Sequence, residues 1–96
     1  MTNESETIFR LRIKGLVQGV GFRDWAIDEA QARNISGWIR NRGDGTVEML
    51  VAGPHKAIED MLGALTKGPS AARVTNIDIH KETEAPPAGF VRKPTL

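Results

Sequence analysis

The sequence predicts an α+β sandwich: an antiparallel sheet with two helices on one face and a short extra C-terminal strand. Three observations lead there. Segments 7–15, 35–41, 45–53 and 72–82 have the period-two alternation or the β-branched content of strands, whereas two others, after Gly21 and after Gly53, repeat their apolar residues at helical spacing. The resulting order is β-α-β-β-α-β. A chain of 96 residues has room for one core only.

Each element follows from its residues. In "TIFRLRIKG", Phe9, Leu11 and Ile13 point one way and Arg10, Arg12 and Lys14 the other, a strand with one wet face. From Phe22 to about Arg33, Phe22, Trp25, Ala26 and Ala30 share a helical face opposite Asp24, Asp28 and Gln31. "ISGWIRN" and "GTVEMLVAG" flank "NRGDG", whose Asp44-Gly45 pair predicts an antiparallel hairpin. Gly53-Pro54 opens a second helix, with proline expected at its first position, and Ile58, Met61, Leu62 and Leu65 continue it toward Gly68-Pro69. In "ARVTNIDIHKE", Ala72 and Val74 are out of phase with Ile77 and Ile79, which predicts a bulge near Thr75 or Asn76. "TEAPPAG" is a loop, and "GFVRK" a last short strand stopped by Pro94. Right-handed crossovers then place both helices on one sheet face, the ferredoxin-like arrangement. Residues 1–6 are expected to form a flexible tail and 7–96 one domain.

Composition narrows the function. Thirteen Lys and Arg against 12 Asp and Glu leave a net charge of +1, too little to favour nucleic acid or an anionic membrane, so an anion site has to be local. The absence of cysteine removes disulfides, thiolate zinc sites and cysteine nucleophiles. The polar start "MTNESET" is unlike a secretory leader, no apolar run approaches a membrane span, and the expected location is the cytoplasm.

The stretch "GLVQGVGFR", residues 15–23, carries the chemistry. It is not a Walker A loop, since Phe22 and Arg23 stand where lysine and serine or threonine are required, and Asp24 replaces the third glycine of a dinucleotide fingerprint. A glycine-rich turn into a helix nevertheless exposes unpaired N–H groups beside the positive end of the helix dipole, a cradle for a tetrahedral anion. Gly15, Leu16, Val17, Gln18, Gly19, Val20, Gly21 and Phe22 form that cradle. Arg23, in the first helical turn, can close on the same anion. Alone, the glycine cluster equally suits a tight turn, Arg23 a solvated charge, and Asn41 a hairpin residue, although Gly43 to Gly45 can make that turn without it.

Taken together, "GLVQGVGFR" and, eighteen residues after Arg23, the asparagine of "GWIRNRGDGTVE" resemble the acylphosphatase family. "GP" at 68–69, "ARV" at 72–74 and Phe90 extend the resemblance over most of the chain, while "TEAPPAG" is richer in proline than the family leads one to expect. The resemblance implies a hydrolase of the carboxyl-phosphate bond that needs no metal or cofactor and acts on a small-molecule acyl phosphate. It further implies that Arg23 binds the phosphate and Asn41 the water. The chemistry is consistent with so sparse a site. The transition state of phosphoryl transfer is loose, so positioning and charge stabilisation dominate. The leaving carboxylate, whose parent acid has a pKa of about 4, departs without a proton donor. Alkyl phosphates, which need such a donor, are expected to be poor substrates.

Other chemistry-bearing residues have plainer readings. His55 and His80 are expected at the surface, and Trp25 and Trp38 in the core or covering its edge. Asp24, Asp28 and Glu29 suit the start of a helix better than a metal site, and the Gln18 side chain is expected to face solvent while its N–H binds. Two other functions compete: a module that senses phosphate without turnover, and RNA binding on the sheet. Arg23 with Asn41 favours the enzyme, while scarce strand aromatics weaken RNA binding. A monomer is expected.

Overall fold

The computed structural model describes residues 6–96. Its elements are β1 (Glu6–Leu16), α1 (Phe22–Ala32), β2 (Ser36–Asn41), β3 (Val47–Pro54), α2 (His55–Lys67), β4 (Arg73–Lys81) and β5 (Phe90–Arg92). The expected tail lies outside the described residues except for Glu6, which already pairs with Pro54 across the sheet. Pro54 caps α2 from the end of β3 rather than occupying its first turn.

The sheet order is β4-β1-β3-β2-β5. The first four strands are antiparallel neighbours, as expected, but β5 runs parallel to β2, so the sheet is mixed at one edge. The connectivity dictates this: β4 finishes at the end of the sheet where β2 begins. The chain crosses there, secured by a 2.9 Å bond from the Gly37 N–H to the Gly89 carbonyl, and enters the far edge in the direction of β2.

One face of the sheet is dry. Leu11 and Ile13 of β1, Ile39 of β2, and Val47, Met49 and Val51 of β3 are buried against Phe22, Ala26 and Ala30 of α1 and Ile58, Met61 and Leu65 of α2. Each large side chain buried there contributes about 1.5–3 kcal/mol. The bulge in β4 lies at Thr75, where pairing steps from Lys14 with Asn76 to Gly15 with Val74. That step returns Val74 and Ile77 to the core side, and both pack against it.

The opposite face is wet but laced with charge: Arg10 pairs with Glu82, Arg12 with Asp44 and Lys14 with Asp78. Trp38 lies on this face and not in the core, between the Arg40 guanidinium and the Lys93 ammonium, 4.8 and 4.7 Å from its ring. Trp25 does pack against the core, tilted on Phe22 with ring centroids 5.5 Å apart.

Candidate active site

Topology brings the predicted site residues to one end of the sandwich. Ile13 and Asn41 both pair with Val47 across β3, so Asn41 stands level with Ile13, two strand spacings or about 10 Å away and three residues before β1 ends. The glycine loop leaves β1 at this end and feeds α1, whose first turn holds Arg23. Asn41 ends β2 in phase with buried Ile39, facing the helix layer.

The loop backbone alternates in hand. Gly19 and Gly21 have φ of +75° and +77°, whereas Val20 between them is not left-handed. Such alternation makes successive N–H groups line a concavity. Among the described residues, no N–H from Val17 to Gly21 donates a hydrogen bond to protein. Phe22 and Arg23 add the orphan donors of a helix start, since neither has a helical carbonyl four residues back. Gly15 and Leu16, expected in the cradle, lie at the end of β1 opposite Val74 and Arg73, and the loop proper begins at Val17.

The Gln18 side chain does not face solvent. Its amide nitrogen donates to the carbonyls of Arg42 and Thr46, both at 2.8 Å, and so fastens the loop to the β2–β3 hairpin beside Asn41. The hairpin is braced independently: Asp44 Oδ1 accepts from the Thr46 N–H at 3.0 Å and its hydroxyl at 2.6 Å. These hydrogen bonds, first of all the one from the hydroxyl, hold the Asp44 carboxyl below its ordinary range. From the other side, the Leu96 N–H donates to the Asn41 carbonyl at 3.1 Å. Asn41 is thus held by its backbone, while its side-chain Oδ1 is buried with no partner among the described residues.

Charge is sorted between the faces. Arg40 and Arg42 flank Asn41 but turn away from the helix layer, donating at 2.8 and 2.9 Å to one oxygen of Glu48, which is 2% exposed. Burial pushes the Glu48 carboxyl up, and the two arginines outweigh it, leaving a net shift downward. Arg23 makes no hydrogen bond or ion pair among the described residues, so its charge remains available. Its neighbour Asp24 is paired instead with Arg92 at the end of β5.

A family model described as Acylphosphatase matches residues 9–91. The chain belongs to the acylphosphatase family. It is a family of enzymes, and similar members cover nearly the whole chain. An acylphosphatase from Acidiphilium cryptum is 49% identical over 87 residues, 88% of this chain and 93% of that one. One from Rhizorhabdus wittichii is 41% identical over 87 residues, 91% and 88% of the two chains. The crystal structure of acylphosphatase from Bacillus subtilis superposes with a TM-score of 0.86 at 33% identity, covering 93% of this chain and 99% of that one.

The remaining expectations divide. Asp24 does lie in the first turn of α1, but Asp28 and Glu29 lie further along the helix, where Glu29 pairs with Arg33 at 2.6 Å. His55 is exposed and lies between Thr7 and Glu59, and His80 is exposed in β4. The proline-rich loop does not border the acylphosphatase-like site: it covers a groove of about 510 Å³ on the wet sheet face, with Trp38, Leu50 and Val91. Among the described residues no three His, Asp or Glu side chains could hold a metal ion, and no helix is long and apolar enough to cross a membrane.

Proposed function

We propose that this chain hydrolyses acyl phosphates to a carboxylate and inorganic phosphate, with the amides of Val17–Phe22 and the Arg23 guanidinium holding the phosphoryl group and Asn41 orienting water. Water oxygen bonds to phosphorus while the bond from phosphorus to the acyl oxygen breaks. The electron pair of that bond leaves on the carboxylate, and the water proton passes to phosphate or solvent. Because the carboxylate is a weak base, the residues need only position the reactants and spread charge over the equatorial oxygens. Donors fixed before reaction are worth more than mobile ones, since no reorganisation is needed when charge develops.

The observation that carries this reading is the buried Oδ1 of Asn41, without a partner among the described residues, at the same end of the sandwich as a loop whose amides from Val17 to Gly21 donate to none of those residues. A buried acceptor left unsatisfied costs about 1–3 kcal/mol, which supports reading it as the acceptor for a donating ligand such as water. Asn41 also separates this reading from a phosphate sensor, which has no use for that acceptor. On the same reading the protein works as a cytosolic monomer on a small molecule, without metal, cofactor, nucleic acid or membrane.

Hydrolysis of benzoyl phosphate tests it. Turnover is expected to be unaffected by chelator and far faster than on an alkyl phosphate. Asn41→Ala should lower kcat about 10²- to 10³-fold with phosphate affinity kept, and Arg23→Ala should lower both. Turnover by Asn41→Ala at the wild-type rate overturns the assignment of the water.

A further inference from the structure

A second guanidinium stands at the same end of the sandwich. Arg92 pairs in parallel register with Ile39, and the next residue outward on that face of β2 is Asn41. Phe90, two residues earlier, is buried on the helix side, so Arg92 projects from that side too. Its guanidinium reaches Asp24, the residue after Arg23 in the first turn of α1. Arg92 therefore spans from the strand beside Asn41 to the helix turn that holds Arg23.

The pair it makes is easily opened. The Arg92 and Asp24 side chains are 41% and 79% exposed, and ion pairs so exposed contribute little, typically under about 1 kcal/mol. A substrate carboxylate can replace that of Asp24 with the same fork-shaped geometry and a similar charge. Holding β5 against α1 does not depend on the pair, because Phe90 is buried in the core there.

We infer that Arg92 is a specificity-determining residue that binds a free carboxylate on the acyl part of the substrate, with Asp24 holding its place until substrate arrives. The inference rests on the acyl phosphate reading above, and narrows the substrate class to acyl phosphates of dicarboxylic acids. Neutralising Asp24 could have been the whole role of Arg92. In that case its removal weakens every phosphate ligand alike, and the two roles separate on substrates that differ in a single charge.

The experiment compares 3- and 4-carboxybenzoyl phosphate with the corresponding carbamoylbenzoyl phosphates, rigid pairs of nearly equal shape. The wild type should show a higher kcat/KM for the charged member of at least one pair. Arg92→Gln should cut that ratio roughly three- to tenfold, mainly through KM, and Asp24→Asn should raise it by freeing the guanidinium. Added salt should shrink the preference in the wild type. A wild-type ratio near one in both pairs, or a ratio that Arg92→Gln leaves unaltered, overturns the role of Arg92 while the hydrolase reading stands. No hydrolysis of any of the four, nor of benzoyl phosphate, overturns both.

Discussion

Gln18 donates twice through one amide nitrogen, and both acceptors are main-chain carbonyls at the hairpin that carries Asn41. The side chain is therefore a strut between the phosphate loop and the residue assigned to water. Gln18→Met keeps the bulk and removes the donor, so the Arg42 and Thr46 carbonyls each lose one of two donors and keep the N–H of Gly45 and of Arg42, at a cost of about 0.5–1.5 kcal/mol. Urea denaturation should register that loss. On the proposed reading, single-turnover kinetics should show slower chemistry with phosphate inhibition little altered, because the strut would set the distance from water to phosphorus and not the cradle itself. The motif singled out Arg23 and Asn41 as candidates. The role of Gln18 was not legible, for its partners lie 24 and 28 residues away and glutamine has no local pattern that announces such a role.

At the scale of elements, close backbone approaches decide what the strands tolerate. A Cβ at Gly37 would lie 1.8 Å from the Leu50 carbonyl oxygen, at a φ of +145° that side chains rarely adopt. Gly37→Ala should cost at least about 2 kcal/mol, seen as a lower urea midpoint, since β2 can relieve the clash only by moving off β3. Asn41 rides on β2, so activity should fall along with stability. Gly19 differs: a Cβ there meets nothing within 4 Å, and only its left-handed φ requires glycine. Strand periodicity made the Thr75 bulge legible, because a one-residue slip reverses which side chains face the core. The direction of β5 was not legible. Its three paired residues are too few to carry a pattern, and the parallel pairing follows from where β4 ends.

For the molecule as a whole, the sheet separates two electrostatic environments, and Glu48 anchors the one away from the site. Three arginines face this buried carboxylate: Arg40 and Arg42 at 2.8 and 2.9 Å and Arg10 at 3.7 Å. Glu48→Gln should destabilise by about 2 kcal/mol or more, below the 3–5 of a fully buried pair because the arginines still reach water. The folded carboxyl titrates below its unfolded value of about 4.3, so this contribution is fully present above that pH and is lost as pH falls through the folded value. Urea unfolding of wild type and variant should differ near pH 7 and converge near pH 2. Alternation, helical spacing and turn chemistry are local properties, which is why the sequence alone determined the order of elements, the dry face of each and the Gly-loop-with-arginine motif. Which of several arginines keeps its charge free, where Gln18 and Trp38 point, and what Arg92 meets depend on partners far along the chain. Only the folded sheet, by setting strands of distant sequence side by side, decided them.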